Sequence, residues 1–172
     1  EHVLPRLIRH CGEDFDIGHL DQHTETCNWT GGAGAFSCAV KIRYSSHCWS
    51  VEHDGSQAQG SHVFRDRAQN RVFCPVRFSH SLELPTIFRE LCGKPTARVS
   101  QTPESNWTMY RLEMASPLLL GEKYWMFFHV KRTEGDAGAP TELSLFVESA
   151  YPRDRRPIFV RGCPFGKVVE EA

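Results

Sequence analysis

From Phe36 to Tyr44 the chain alternates: Phe36, Cys38, Val40, Ile42 and Tyr44 fall on one side, with Ser37, Ala39, Lys41 and Arg43 between them. A period of two marks a strand with one buried face. A second strand is expected from Arg71 to Phe78, carrying Val72, Cys74, Val76 and Phe78 together. The period then lengthens. Leu84, Ile87, Phe88 and Leu91 make one stripe at helical spacing, Ser81 or Glu83 stands at the cap, Pro85 lies in the first turn and Gly93 just past the end, so a helix is predicted. Three further strand-like segments run from Trp107 to Met114, Lys123 to Lys131 and Glu142 to Tyr151. The middle one, Tyr124-Trp-Met-Phe-Phe-His-Val130, is apolar on both faces and belongs at the centre of a sheet. Glu134 to Pro140 reads as the hairpin loop between the last two, and Leu4, Leu7 and Ile8 suggest a short N-terminal helix. The stretch from His53 to Asn70, rich in Gly, Ser, Gln and charge, is long for a loop and is expected to be mobile or functional. Pro152, Pro157 and Pro164 are expected to end regular structure. The sum is an α+β domain on a mostly antiparallel twisted sheet of about five strands. Residues 1–172 form one domain in this reading: an N-terminal helix and polar loop over 1–34, a core over 36–157 and a tail over 158–172.

Composition narrows the classes. A length of 172 residues, 40% of them hydrophobic, suits one core. The formal net charge of -1 leaves no large field to attract nucleic acid or an anionic membrane, so an RNA-binding role needs a local patch. No apolar run approaches the roughly 20 residues that cross a bilayer, and Glu1-His-Val-Leu-Pro is no signal sequence. Seven irregularly spaced cysteines read as reduced thiols in a cytoplasmic protein. Two glycosylation-type tripeptides, Asn28-Trp-Thr30 and Asn106-Trp-Thr108, point the other way and mark no compartment by themselves.

A phrase stated nearly twice draws the chemistry together: Cys38 to Cys48 ends in Ser45-Ser46-His47-Cys48, and Cys74 to Ser81 ends in Ser79-His80-Ser81. Zinc has two candidate sets. His19, His23 and Cys27 are spaced by four, which on a helix shares one face. Cys38, His47, Cys48 and Cys74 could meet between two adjacent strands, although Cys38 and Cys74 sit on the apolar faces, where free cysteine acts as a small hydrophobe. Cys48 beside His47 also has the residues of a thiol nucleophile, if Arg43 and Arg77 stabilise its thiolate. A metal-free alternative is RNA cleavage through the 2′-hydroxyl, which needs a base, an acid and a cation on one face. The candidate catalytic residues are His47, Arg77, His129, Ser149 and Tyr151, with His80, Arg43, Lys131, Arg132 and Arg153 in reserve. No cofactor is expected in that case.

Tyr44-Ser-Ser-His47-Cys48-Trp49, Arg71-Val-Phe-Cys74, Leu84-Pro85-Thr-Ile87 and Leu145-Phe-Val-Glu-Ser149-Ala-Tyr151-Pro-Arg153-Asp154 resemble a bacterial family labelled stationary phase growth adaptation proteins. The similarity covers most of residues 36 to 157 and implies a bacterial, cytosolic setting. Separately, a last strand ending Glu148-Ser149-Ala-Tyr151-Pro152 is similar to the sheet of the barnase, EndoU, colicin and RelE-like ribonuclease toxins. That likeness carries over to Ser149, Tyr151 and Pro152, and implies RNA as substrate and an antitoxin as protein partner. The chain departs from such toxins in lacking their high positive charge.

The competing class is a non-enzymatic protein-binding module, for which Trp29, Trp49, Trp107 and Trp125 are the natural anchors. An enzyme predicts His47, Arg77, His129 and Ser149 lining one cleft. A binding module predicts them dispersed, with an apolar patch exposed.

Overall fold

A strand buried on both faces needs neighbours on both edges, and residues 123–132 have them. In the computed structural model, which describes residues 6–31, 34–56, 60–103, 110–115, 122–133, 142–153 and 161–172, twelve strands and three helices are described. The strands are β1 Leu7–His10, β2 Glu13–Asp16, β3 His23–Gly31, β4 Gly34–Tyr44, β5 Ser50–Glu52, β6 Val63–Asp66, β7 Gln69–Phe73, β8 Arg98–Gln101, β9 Tyr110–Ala115, β10 Lys123–Arg132, β11 Glu142–Arg153 and β12 Arg161–Pro164. The helices are α1 Pro75–Ser81, α2 Leu84–Cys92 and α3 Phe165–Glu171. The main sheet has seven strands in the order β12-β8-β9-β10-β11-β4-β3, so β10 takes the central place that its pattern predicts. Every pairing in it is antiparallel except β4 with β11. A three-stranded sheet β5-β7-β6 and the hairpin β1-β2 complete the architecture.

The α+β class holds, but one sheet of about five strands becomes three sheets. The expected strand from Arg71 to Phe78 stops at Phe73, and the chain turns helical at Pro75. Proline at the first helical position fixes φ for the helix and lacks only a donor that has no partner there. The expected helix near Leu4 is instead β1, paired with β2. The predicted helix is present as α2, with Glu83 before it and Gly93 after it. Ser81 is not its cap: its hydroxyl donates to the Phe78 carbonyl at 2.7 Å and lies 2.8 Å from His19 Nε2. The long stretch from His53 contains β6, and Pro152 lies inside β11. Trp107, Asn106, Pro157 and the loop from Glu134 to Pro140 lie outside the described residues.

One face of the sheet carries the core. Val40, Ile42 and Tyr44 register against Leu143, Leu145 and Val147, and across β10 Val130 pairs with Leu145, Phe128 with Val147 and Met126 with Ala150. Helices α2 and α3 cover them, with the Phe88 and Phe165 rings 5.5 and 6.2 Å from that of Phe128. The segment expected as a tail belongs to this core: Phe165, Val168 and Val169 are buried. Phe165 and Gly166 donate to the carbonyls of Ala97 and Pro95 at 2.8 Å, and a Cβ at Gly166 would lie 2.9 Å from Pro95 Cβ. On a flank, Phe15 of β2 packs 4.6 Å from Phe73 and 5.3 Å from Phe78, joining the N-terminal hairpin to the small sheet and α1. Trp49, 1% exposed and stacked 4.8 Å from Phe64, anchors the chain where it leaves β4.

Trp49→Ala is therefore expected to lower the unfolding free energy by about 3–5 kcal/mol. Leu82→Ala, at a residue that is 50% exposed, should change it by less than about 0.5 kcal/mol. Urea unfolding followed by circular dichroism measures both.

Candidate functional site

β4 ends at Tyr44, and β11, its parallel neighbour, continues to Arg153 without it. Ser45 turns the chain away. Its side chain accepts a hydrogen bond from the His47 amide at 3.1 Å and caps a single 3-10 turn over Ser46–Cys48. Cys48 and Trp49 face inward from that turn, which leaves His47 half-buried at the surface. Opposite stands the tip of the β6–β7 hairpin, where Asp66 pairs with Gln69 across the two-residue loop Arg67-Ala68. Arg67 has φ 53°, a conformation more usual for glycine, and Arg65 Nε donates to its carbonyl at 3.2 Å. Ser46 donates its hydroxyl to Asp66 Oδ2 and ties the tip to the turn.

Between turn, hairpin and sheet lies a cleft of about 600 Å³. Arg43, Phe146 and Glu148 from the sheet, Ser46 and His47 from the turn, and Asp66 and Arg67 from the hairpin line it. Arg43 is exposed; one of its guanidinium nitrogens donates to Ser144 Oγ at 3.1 Å, and its central carbon lies 5.9 Å from the Phe146 ring centre. The cleft thus offers two exposed guanidiniums, two carboxylates, an imidazole and an aromatic ring.

Two more guanidiniums lie behind the wall. Arg71, 4% exposed, donates to Ser50 Oγ at 2.8 Å and to the Ser50 carbonyl at 2.9 Å. Arg77 donates to the carbonyls of His47 and Ser50, both at 2.9 Å. Burial, with help from Arg71, Arg77 and Arg67 and against the opposing pull of Asp66, lowers the His47 pKa to about 4. The imidazole is therefore neutral at neutral pH, with its basicity reduced.

Of the five residues proposed from sequence as catalytic, His47 alone lines this cleft. Arg77 holds backbone carbonyls and caps the Tyr151 ring at 4.9 Å, so it positions rather than reacts. His129, Ser149 and Tyr151 share the face of the sheet opposite the one that α2 and α3 cover. His129 lies 5.4 Å from Phe146, Ser149 pairs with Phe127, and Tyr151 stacks on Phe127 at 5.6 Å. Of the other four, His129 comes nearest the lining, through its contact with Phe146. Asp66, Arg67 and Glu148 did not stand out in the sequence; the length of the stretch from His53 was the one signal for the first two.

Neither zinc set assembles. His23 and Cys27 lie on strand β3, where four residues span roughly 13 Å, and His19 is engaged with Ser81. Cys38 sits six residues before the end of β4, roughly 20 Å along a strand from the turn that holds His47 and Cys48. Instead it pairs across the strands with Cys27, which also lies within hydrogen-bonding reach of Cys92. Cys48 is buried, with its thiol 3.8 Å from the Val147 carbonyl and its pKa pushed up to about 12, mainly by burial, which removes it as a nucleophile. Cys74 precedes α1. Among the described residues no group of three or more His, Cys, Asp or Glu side chains is placed to hold a metal ion. All seven cysteines are free thiols.

A family model matches residues 7–169, nearly the whole chain, hairpin, cleft and C-terminal helix included. The chain belongs to the YjaZ family. No curated protein and no solved structure matches it. In this YjaZ family member no helix among the described residues is long and apolar enough to cross a membrane. Trp49 and Trp125 are buried, and Trp29 is half-buried, stacked on Phe36 and donating to Glu170 at 3.2 Å, so these three are packed rather than presented as interface anchors.

Histidine titration by NMR is expected to place His47 at about 4, below the ordinary 6.5. Asp66→Asn, which removes a charge that favours the imidazolium, should lower it further. The unfolded chain then takes up the proton more readily than the folded one. The His47 contribution to stability is complete above pH 6.5 and is lost as the pH falls from there through about 4. His47→Gln should flatten that part of the acid limb, measured as the urea midpoint across this range. Ser46→Ala should destabilise the fold by about 1 kcal/mol and speed amide exchange at residues 66–69.

Proposed function

We propose that the chain binds single-stranded RNA at the cleft beside the β4 exit. The carrying observation is Phe146 set between the exposed Arg43 and the half-buried His129, across the cleft from Arg67. Single strands are held by aromatic rings that stack bases and by cations that meet phosphates. A protein of net charge -1 has no long-range attraction for RNA, so a local cluster must supply it, and Arg43 and Arg67 are that cluster. The volume suits one nucleotide.

Cleavage is the second reading, and one observation favours it: His47 is held neutral near two guanidiniums. In that reading the imidazole takes the 2′-hydroxyl proton, the freed oxygen attacks phosphorus, and the departing 5′-oxygen is protonated by water at the open mouth while Arg43 and Arg67 offset the phosphate charge. His129, Ser149 and Tyr151 are absent from the lining, which puts binding first. A bacterial, cytoplasmic stress-response or toxin role, with an antitoxin as partner, belongs to the same proposal and rests on the resemblances over residues 36–157.

The test is anisotropy of a labelled U-rich oligonucleotide in EDTA. Two phosphate contacts, at Arg43 and Arg67, predict log K falling with log salt at a slope of about -1.4 between roughly 50 and 200 mM. Arg43→Ala should weaken binding and reduce the slope by about 0.7. Absence of binding at the lower salt overturns the reading. Sequencing RNA ends from the same mixture tests cleavage: cuts lost in His47→Ala support it, and intact RNA removes it while leaving binding in place.

A further inference from the structure

We infer that Glu148 reads a base in this cleft and selects guanine. The inference rests on the RNA-binding reading and names the base.

The register between β10 and β11 slips at one place. Phe127 pairs with Ser149 and Phe128 with Val147, so Glu148 is an extra residue with no partner across the strands. A bulge of this kind bends its strand and re-aims a side chain, and bulges gather next to functional sites. Here the re-aimed side chain is a half-buried glutamate that lines the cleft. Among the described residues it makes no hydrogen bond and no ion pair, whereas the other carboxylate of the cleft, Asp66, already accepts the Ser46 hydroxyl. The side-chain hydrogen bond of Arg43 runs to Ser144 Oγ, not to Glu148.

A carboxylate accepts two parallel hydrogen bonds when a planar partner presents two donors side by side. Guanine does so on its pairing edge, through the ring N–H and the exocyclic amino group. Adenine and cytosine offer an amino group beside an acceptor nitrogen, and uracil offers one N–H between two carbonyls. A base lying on Phe146, or on the Arg43 guanidinium above it, would stack while its pairing edge meets Glu148, two residues along β11 from Phe146. Both carboxylate oxygens are then satisfied by guanine alone.

The experiment measures binding of U-rich hexamers that carry one G, A, C or inosine, to the wild type and to Glu148→Gln, in EDTA. The wild type is expected to prefer the G hexamer by roughly tenfold or more over A and C, with inosine intermediate because it keeps the ring N–H and loses the amino donor. Glu148→Gln should lose the preference for G over A and C. Equal binding of all hexamers by the wild type overturns base reading and leaves RNA binding standing. A G preference that survives in Glu148→Gln assigns it to other groups and likewise overturns the inference. Absence of binding to any hexamer removes both readings. Unchanged urea midpoints in the variant show that any lost preference is not lost folding.

Discussion

One carbonyl oxygen holds the site together. Arg71 from β7 and Arg77 from α1 both donate to the oxygen of Ser50, and Arg77 also reaches the carbonyl of His47. Two guanidiniums on one acceptor bring like charges close in a poorly hydrated place, which is tolerable only while every donor is well placed. Asp66 and Glu52 lie near enough to oppose the charge on Arg71. In return the short turn after β4, the small sheet and α1 are locked to one another, and Tyr151 of β11 lies against the Arg77 guanidinium. The state of His47 follows from the same arrangement, because part of what holds its pKa down is the field of these two cations. Structure and electrostatics at the cleft therefore share a cause.

The parts legible in the sequence were those whose pattern and burial agree. The alternation of β4, the two-sided apolarity of β10 and the stripe of α2 each describe the environment that the element meets. The segment after Arg71 misled because Val72, Cys74, Val76 and Phe78 satisfy a period of two, while Pro75 makes a helix start and wins. The tail held a readable signal: Phe165, Val168 and Val169 are spaced as a helical face, on a helix of only seven residues.

The site was less legible, for geometric reasons. His129, Ser149 and Tyr151 lie on one face of the sheet, but a cleft here is made where a strand departs, not along a face. Asp66 and Arg67 belong to a hairpin whose turn carries neither glycine nor asparagine, so no turn signal marks it. Glu148 reaches its position through a register slip, which a period-two reading cannot anticipate. Free thiols drew attention as metal ligands, yet Cys27, Cys38 and Cys92 lie together in the core as buried apolar groups.

The lone parallel pairing ties the site to the order in which the chain is made. β3 and β4 reach the rest of the main sheet only through β11, whose residues come about a hundred positions later. During synthesis the β4 edge must wait, unpaired, while everything up to β11 emerges. Contacts so distant in sequence are slow to form, and an exposed strand edge invites wrong partners meanwhile. Phe146 and Glu148 arrive with β11 itself, so a nascent or truncated chain that stops short of it carries His47, Asp66 and Arg67 without the opposite wall. The protein thus acquires its cleft in the same late step that closes its sheet, and an incomplete copy has half a cleft.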